Sequence, residues 1–502
     1  MTKDRLTRRS VITAGLSMAL TSPLLLAACG GSSSAAPTSA PAAAQSAATA
    51  PVGAKPATTT APAAPAPTTA PAAGANAAAP KPAGGARAKT VVWYHRTSPL
   101  EVKWQDDFVM GEYKKVQPGV TIDRINIPGA EYTAKLLALQ ASGETPNIFG
   151  FSAFATWWGR GMLVPLDEYL NKDKGIAEQF FPGMFDTFKW WGKRWGMPMA
   201  PRFGTMTYFN RDLFDKAGVP YPKIDFTLKE WNADVMLEKA QKLTTNYGKP
   251  NVVFGVDYSP WSPHGLAYLW GGDTYRKQMY DQGIDDQTTI DSAESQEAHQ
   301  FKQDLIQKHH VNPASSDNQA INVVGDPFKT GRIAMSVQGG WSWSSYSDIK
   351  DFKWGAAPVP GKKDVKNSEN LNVWVLGDAP NKEGAWEFVK FLTGKESQSA
   401  WVRITGAQPS RPDVLDQWVQ LHANHMPAED VKTLVNENIK HTVESMDHMV
   451  VDFARFDDAY NQEVAALWDG KATVQSFMSK IKPAWDNVAK DTYGKYREKL
   501  IK

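Results

Sequence analysis

Residues 336–345 read SVQGGWSWSS and follow the apolar run Arg332-Ile333-Ala334-Met335-Ser336-Val337. Past the end of a strand, Gly339 and Gly340 let the backbone approach a ligand closely or simply turn. An indole offers a broad apolar face and one N–H. That suits a ring such as a sugar, with a flat C–H patch and hydroxyls at its rim. Trp341 and Trp343 are two residues apart, so at a helix start they diverge; one lines a site and the other packs. A second constellation, Trp270-Gly271-Gly272-Asp273, closes an apolar helical run. The Asp273 carboxylate can accept two hydroxyls at once, or it can cap the helix. Other chemistries find little support. The close histidine pairs are His309-His310 and His422-x-x-His425, with no HExxH and no cysteine nearby, so no zinc site is expected. GxSxG, Walker A and GxGxxG patterns are absent. Asp106-Asp107 and Asp457-Asp458 are adjacent pairs whose carboxylates diverge into solvent.

The elements that position these residues alternate. A β-rich run at 89–95 is followed by a helical segment at 104–116, broken by Gln117-Pro118-Gly119. A strand at 120–127, a helix at 130–142 and a strand at 147–151 come next. Strand, helix, strand at this spacing predicts βαβ units and a mainly parallel sheet. Ligands in such sheets sit beyond the carboxyl ends of the strands, which makes His95, Arg96, Phe151 and Ser152 candidates. Further helices are expected at 210–218 with Gly218 as C-cap, at 230–243 and at 292–309. Ala385, Phe388, Val389 and Leu392 form an amphipathic stripe, and Val474, Phe477, Met478 and Ile481 repeat its spacing.

The chain has 502 residues, 42% hydrophobic and 22% charged, which is soluble and globular in character and too long for one ordinary core. All 19 tryptophans lie beyond residue 88. Residues 1–28 carry a net charge of +3 and residues 29–88 another +3, leaving the body at −4 against a total of +2. A mildly acidic body argues against a nucleic-acid partner. The single cysteine, Cys29, excludes disulfides within the chain. The opening MTKDRLTRRSVITAGLSMALTSPLLLAACG has the layout of an export signal. Arg8-Arg9 resembles a twin-arginine signal, and Leu26-Ala27-Ala28-Cys29 resembles a bacterial lipobox ending at the lipidated residue. Residues 30–88 are almost entirely Ala, Pro, Thr, Ser and Gly. They read as a disordered linker able to reach on the order of 100 Å at about 3.1 Å per residue.

The stretches GMPMAPRFGTMTYFNRDLFDKAGVP (196–220), LAYLWGGDTY (266–275), DPFKTGRIAMSVQGGWSW (326–343), GAWEFVKFLTG (384–394) and TGAQPSRPDVL (405–415) follow in that order. Together, over 89–502, they resemble the extracellular solute-binding proteins of ABC importers, in the maltose-binding-like, carbohydrate-binding branch. The resemblance implies a two-lobe α/β periplasmic-binding-protein-like (type II) fold with three inter-lobe crossovers and a ligand cleft between the lobes. By position, lobe one is 89–203 plus 371–435 and lobe two is 204–370 plus 436–502. It also implies hinge closure on a solute, no cofactor, a monomer, and delivery to a membrane permease driven by an ATPase. An aromatic in the family pattern favours Trp341 as the ligand contact. Arg202, near the first crossover, Asn372 and Trp374, near the second, Arg411, and Phe453 with Arg455 in a late segment join the candidate site. The family's acidic residue and basic partner after the third strand are absent, replaced by Phe151-Ser152-Ala153-Phe154, which implies a less charged, more aromatic cleft wall.

Two rival readings stay open. In one, the same fold binds a phosphorylated polyol such as a glycerophosphodiester, with Arg96, Arg202, Arg411 and Arg455 supplying guanidinium forks. In the other, the chain is a secreted polysaccharide-degrading enzyme, which needs two converging carboxylates; Asp273 is the single candidate.

Overall fold

The computed structural model describes residues 89–150, 154–199, 203–260, 262–323, 325–368, 373–443 and 450–500. The export signal, Cys29 and the linker lie outside the described residues, as do Phe151, Ser152, Arg202 and Asn372. In chain order the strands are β1 (Thr90–Thr97), β2 (Thr121–Pro128), β3 (Ile148–Gly150), β4 (Lys189–Trp190), β5 (Lys193–Arg194), β6 (Met197–Pro198), β7 (Thr205–Asn210), β8 (Asp257–Tyr258), β9 (Met335–Gly339), β10 (Trp354–Pro358), β11 (Asn367–Ser368), β12 (Val373–Leu376) and β13 (Thr442–Val443).

Two sheets organise the body. The first runs β2-β1-β3-β12-β6 and the second β10-β7-β9-β8. The pairs β1–β2, β1–β3 and β8–β9 are parallel, whereas β12 runs against both β3 and β6, and β7 against both β9 and β10. Each sheet is therefore mainly parallel, as expected, with one strand reversed, β12 in the first and β7 in the second. The cause is the chain path: β7 and β12 each enter their sheet directly from a crossover, at the edge where the βαβ strands end. The carboxyl ends of β1, β3 and β6 share an edge with the start of β12. The carboxyl ends of β8, β9 and β10 share one with the start of β7. Only 199–204 and 359–372 separate these edges along the chain, so they face each other.

Buried polar groups stitch the crossovers together. Strands β11 and β13 pair in parallel, Asn367 opposite Thr442. Asn367 Oδ1 accepts from Thr205 N at 2.9 Å, and Asn367 Nδ2 donates to Asn438 Oδ1 at 3.1 Å. Asn438 Nδ2 in turn donates to the Phe203 carbonyl. All three passages between the sheets thus meet on two buried amides, whose hydrogen-bonding capacity would be costly to leave unmet.

Local signals explain the helices. Ser98 and Glu101 form a reciprocal capping box with Pro99 at the first position. Gly218, at φ +65°, closes the helix Arg211–Ala217, a left-handed position that favours glycine. The stripe Ala385, Phe388, Val389 and Leu392 is buried in the helix Lys382–Thr393. Its Phe388 meets Trp93 of β1 edge-on at 5.1 Å, and Trp93 meets Trp104 and Trp374 in the same manner. Among the described residues nine tryptophans are fully buried, Trp343 among them, so their tryptophan content is mostly core.

Candidate ligand site

Trp341 stands directly after β9, on the edge facing the other sheet, and is 39% exposed. Its ring folds back over Gly339: a Cβ at 339 would lie 2.1 Å from Trp341 Cζ3. Glycine is therefore required there by the indole. The Gly340 carbonyl accepts from Gln408 Nε2 at 2.8 Å and from Tyr208 Oη at 3.4 Å, which fixes the turn. Trp343 points the other way, against Trp354 and Trp418.

A cavity of about 290 Å³ opens beside the crossovers, lined by Tyr268, Gly271, Gly272, Asp273, Tyr280, Asp364, Lys366 and Val443. The lining comes from three distant segments. Asp273 Oδ2 accepts from Tyr280 Oη at 2.6 Å, and Oδ1 from Tyr275 N at 3.0 Å. Burial raises the Asp273 pKa, and these bonds oppose that rise. A carboxylate only accepts, so Tyr280 donates to it and Tyr268 donates to Tyr280. Asp364 accepts from the Val365 and Lys366 amides and pairs with Lys366 at 3.5 Å. The cavity thus carries ordered hydroxyls, two carboxylates, one cation and two aromatic walls. A larger hollow of about 690 Å³, lined by Tyr169, Asp378 and Lys382 among others, lies elsewhere. Its Asn381 bonds the Thr90 carbonyl at the opposite end of β1.

The expected site residues divide. Asp273 lines the cavity, and Trp341, Gly339 and Gly340 form the exposed strand end. His95 is buried at the end of β1, its Nδ1 2.9 Å from Gln105 Nε2. Arg96 lies half-buried beside it with its stem against Gly129. Phe453 is half-buried, 6.2 Å from the His264 ring. Two expectations are corrected. Trp270 is 3% exposed and packs on Phe301 and Tyr258, because it leaves the helix Ser262–Leu269 on the side of the core that buries Leu266 and Leu269. Trp374 is 1% exposed and shares the core face of its sheet with Trp93. Two arginines are engaged elsewhere. Arg411 bonds Asp413 at 3.0 Å and Gln179 at 2.6 Å, and Arg455 pairs with Asp491 at 2.5 Å. Tyr268, Tyr280 and Lys366 were not anticipated. Only Tyr268, two residues before Trp270-Gly-Gly-Asp, sits near a signal that sequence reading had singled out.

Outside the two main sheets, segments distant in sequence interlock around Gly283. The tight β4–β5 hairpin turns through Trp191 (φ +55°) and Gly192. Its Trp190 ring fills the space over Gly283, where a Cβ would lie 1.6 Å from Trp190 Cζ2. Val451 N donates to the Gly283 carbonyl at 3.2 Å, and Arg160 pairs with buried Asp452 at 3.7 Å. Gly283 is itself at φ +68°. Gly283→Ala combines left-handed strain with overpacking and should cost roughly 2–4 kcal/mol. A denaturant midpoint equal to that of the parent chain would show that Trp190 is not seated there.

The family model described as bacterial extracellular solute-binding protein matches residues 98–399. A binding protein of Brucella abortus is 24% identical over 309 residues, covering 59% of this chain and 70% of the relative. Among solved structures, the ABC substrate-binding protein of Listeria monocytogenes in complex with cycloalternan superposes with a TM-score of 0.67 at 24% identity, covering 81% of this chain and 99% of that one. The GacH receptor of Streptomyces glaucescens, solved unliganded and with acarbose, gives 0.63 at 20% identity, covering 80% and 98%. These likenesses establish the two-lobe fold.

Proposed function

Because the chain belongs to the family of bacterial extracellular solute-binding proteins, we propose that it captures a neutral mono- or oligosaccharide between its lobes and delivers it to an ABC permease. Lobe one is 89–203 plus 371–435 and lobe two 204–370 plus 436–502, with ligand contacts on both biasing the closed state. The body acts as a monomer, tethered outside the cytoplasm through lipidated Cys29 and the linker. Its role is binding, not catalysis.

The observation that carries this reading is the exposed Trp341 on the facing strand edge, near the crossovers beside which the carboxylate-and-tyrosine cavity opens. Sugar ligands in the Listeria and Streptomyces structures support the same class. A phosphorylated polyol is less well served. Arg411 and Arg455 are tied to carboxylates, and the cavity sets Asp273 and Asp364 against Lys366.

Trp341→Ala tests the reading. Stacking on one sugar face hides about 50–80 Å² of apolar area, about 1–2 kcal/mol, so affinity should fall five- to thirtyfold with little change in Tm. Unchanged affinity would make Trp341 a spectator.

A further inference from the structure

The helix Pro99–Trp104 does not continue regularly. Its next five residues, Gln105–Val109, widen into a π-helical turn before Met110–Val116 resumes. Such turns bond less well than α-helix and are frequent at functional sites. Gln105 opens this one. It is fully buried, and its side-chain Nε2 lies 2.9 Å from His95 Nδ1. The imidazole packs against both Trp93, at 5.4 Å and 65°, and Trp374, at 5.2 Å and 37°. His95 belongs to the carboxyl end of β1, on the edge that faces the second sheet. Among the described residues, its Nε2 has no hydrogen-bond partner.

A neutral imidazole has one donor and one acceptor nitrogen, and the partner of one sets the role of the other. With the Gln105 amide N–H on Nδ1, the proton resides on Nε2. We propose that His95 presents Nε2–H as a hydrogen-bond donor to an oxygen of the bound solute, and that Gln105 is the positioning residue that fixes this tautomer. The proposal rests on the reading of the cleft as a carbohydrate site. An uncharged donor suits ether and hydroxyl oxygens and favours a neutral ligand over an anion. Burial, reinforced by Arg96 and Arg124, lowers the His95 pKa to about 3, which keeps the ring neutral throughout the physiological range.

The test uses the full chain with ¹⁵N-labelled histidine. Long-range ¹⁵N–¹H spectra should assign His95 the Nε2–H tautomer, unchanged down to pH 5. In Gln105→Glu, the carboxylate can only accept, so the proton should move to Nδ1 and the His95 pKa should rise. Affinity for maltotriose or mannotriose should drop tenfold or more. His95→Gln, whose amide nitrogen falls near the Nε2 position, should retain more affinity than His95→Asn, whose amide nitrogen falls near Nδ1. An Nδ1–H tautomer in the parent chain would overturn the proposal. So would a trisaccharide that binds the parent chain and Gln105→Glu equally. If neither trisaccharide binds the parent chain while the Nε2–H tautomer stands, the carbohydrate reading fails and takes the donor role with it.

Discussion

Lowering the pH from 7.5 to 5 should destabilise the folded body severely, with Tm falling by roughly 10 °C or more. Burial holds His95 and His264 near pKa 3 and His299, His422 and His425 near 4. Each folded-state value lies below the ordinary 6.5, so the native rings stay neutral while the unfolded chain takes up protons. The stability they allow is complete above pH 6.5 and is lost progressively as pH falls toward 4. At about 1.4 kcal/mol per pH unit, each of the four deeply buried rings costs on the order of 2 kcal/mol at pH 5, and His425, closer to solvent, costs less. Together these are a large part of the stability of an ordinary fold. The raised carboxyls of Glu101, Asp257 and Asp273 work in the opposite sense, since acid restores their preferred neutral form, but they are three against five. Thermal unfolding followed at pH 7.5, 6 and 5 reads the effect directly. His299→Gln should flatten the profile, because His299 bonds the Ser295 carbonyl and Tyr460 Oη from a fully buried position. A Tm that does not change between pH 7.5 and 5 would mean that the rings are hydrated.

Gly204→Ala should be the most damaging small substitution at the crossovers. Residue 204 has φ +68°, and a Cβ there would lie 2.0 Å from Asn367 Oδ1 and 2.5 Å from Thr442 Oγ1. Left-handed strain costs about 1–2 kcal/mol. Displacing Asn367 then breaks its bonds to Thr205 N and Asn438, leaving buried amide groups unmet at about 1–3 kcal/mol. A loss of roughly 3 kcal/mol or more follows. Because the same residues join the moving parts, ligand affinity should fall as well. Asn438→Ala should reproduce both effects through the freed Phe203 carbonyl and Asn367 amide. Denaturant titration combined with a binding isotherm separates the two. Parent-like stability in Gly204→Ala would show that the stitch yields without cost, and an unchanged affinity would uncouple it from closure.

The helices were legible in the sequence because burial on one face imposes a 3.6-residue period; Ala385, Phe388, Val389 and Leu392 carry that signal unaided. The division of Trp341 from Trp343 was legible for the same kind of reason, since residues two apart at a helix start point to different sides. The reversal of one strand in each sheet was not. Which way β12 runs depends on the edge at which a crossover delivers the chain, and no local residue records that. Trp270 beside two glycines looks the same whether its ring turns to a cleft or to Phe301. The cavity also escaped, because Tyr280, Lys366 and Val443 are brought together by the crossovers and by no spacing. Trp190 and Gly283 are likewise matched only in space.

The central claim, a neutral sugar held in the cleft between the lobes, is tested most directly by calorimetric titration of the folded chain with maltotriose, mannotriose and glycerophosphocholine. The account predicts saturable one-to-one binding of a neutral sugar, with a negative heat-capacity change from the apolar area that closure buries, and no binding of the phosphodiester. Binding of glycerophosphocholine alone would contradict it.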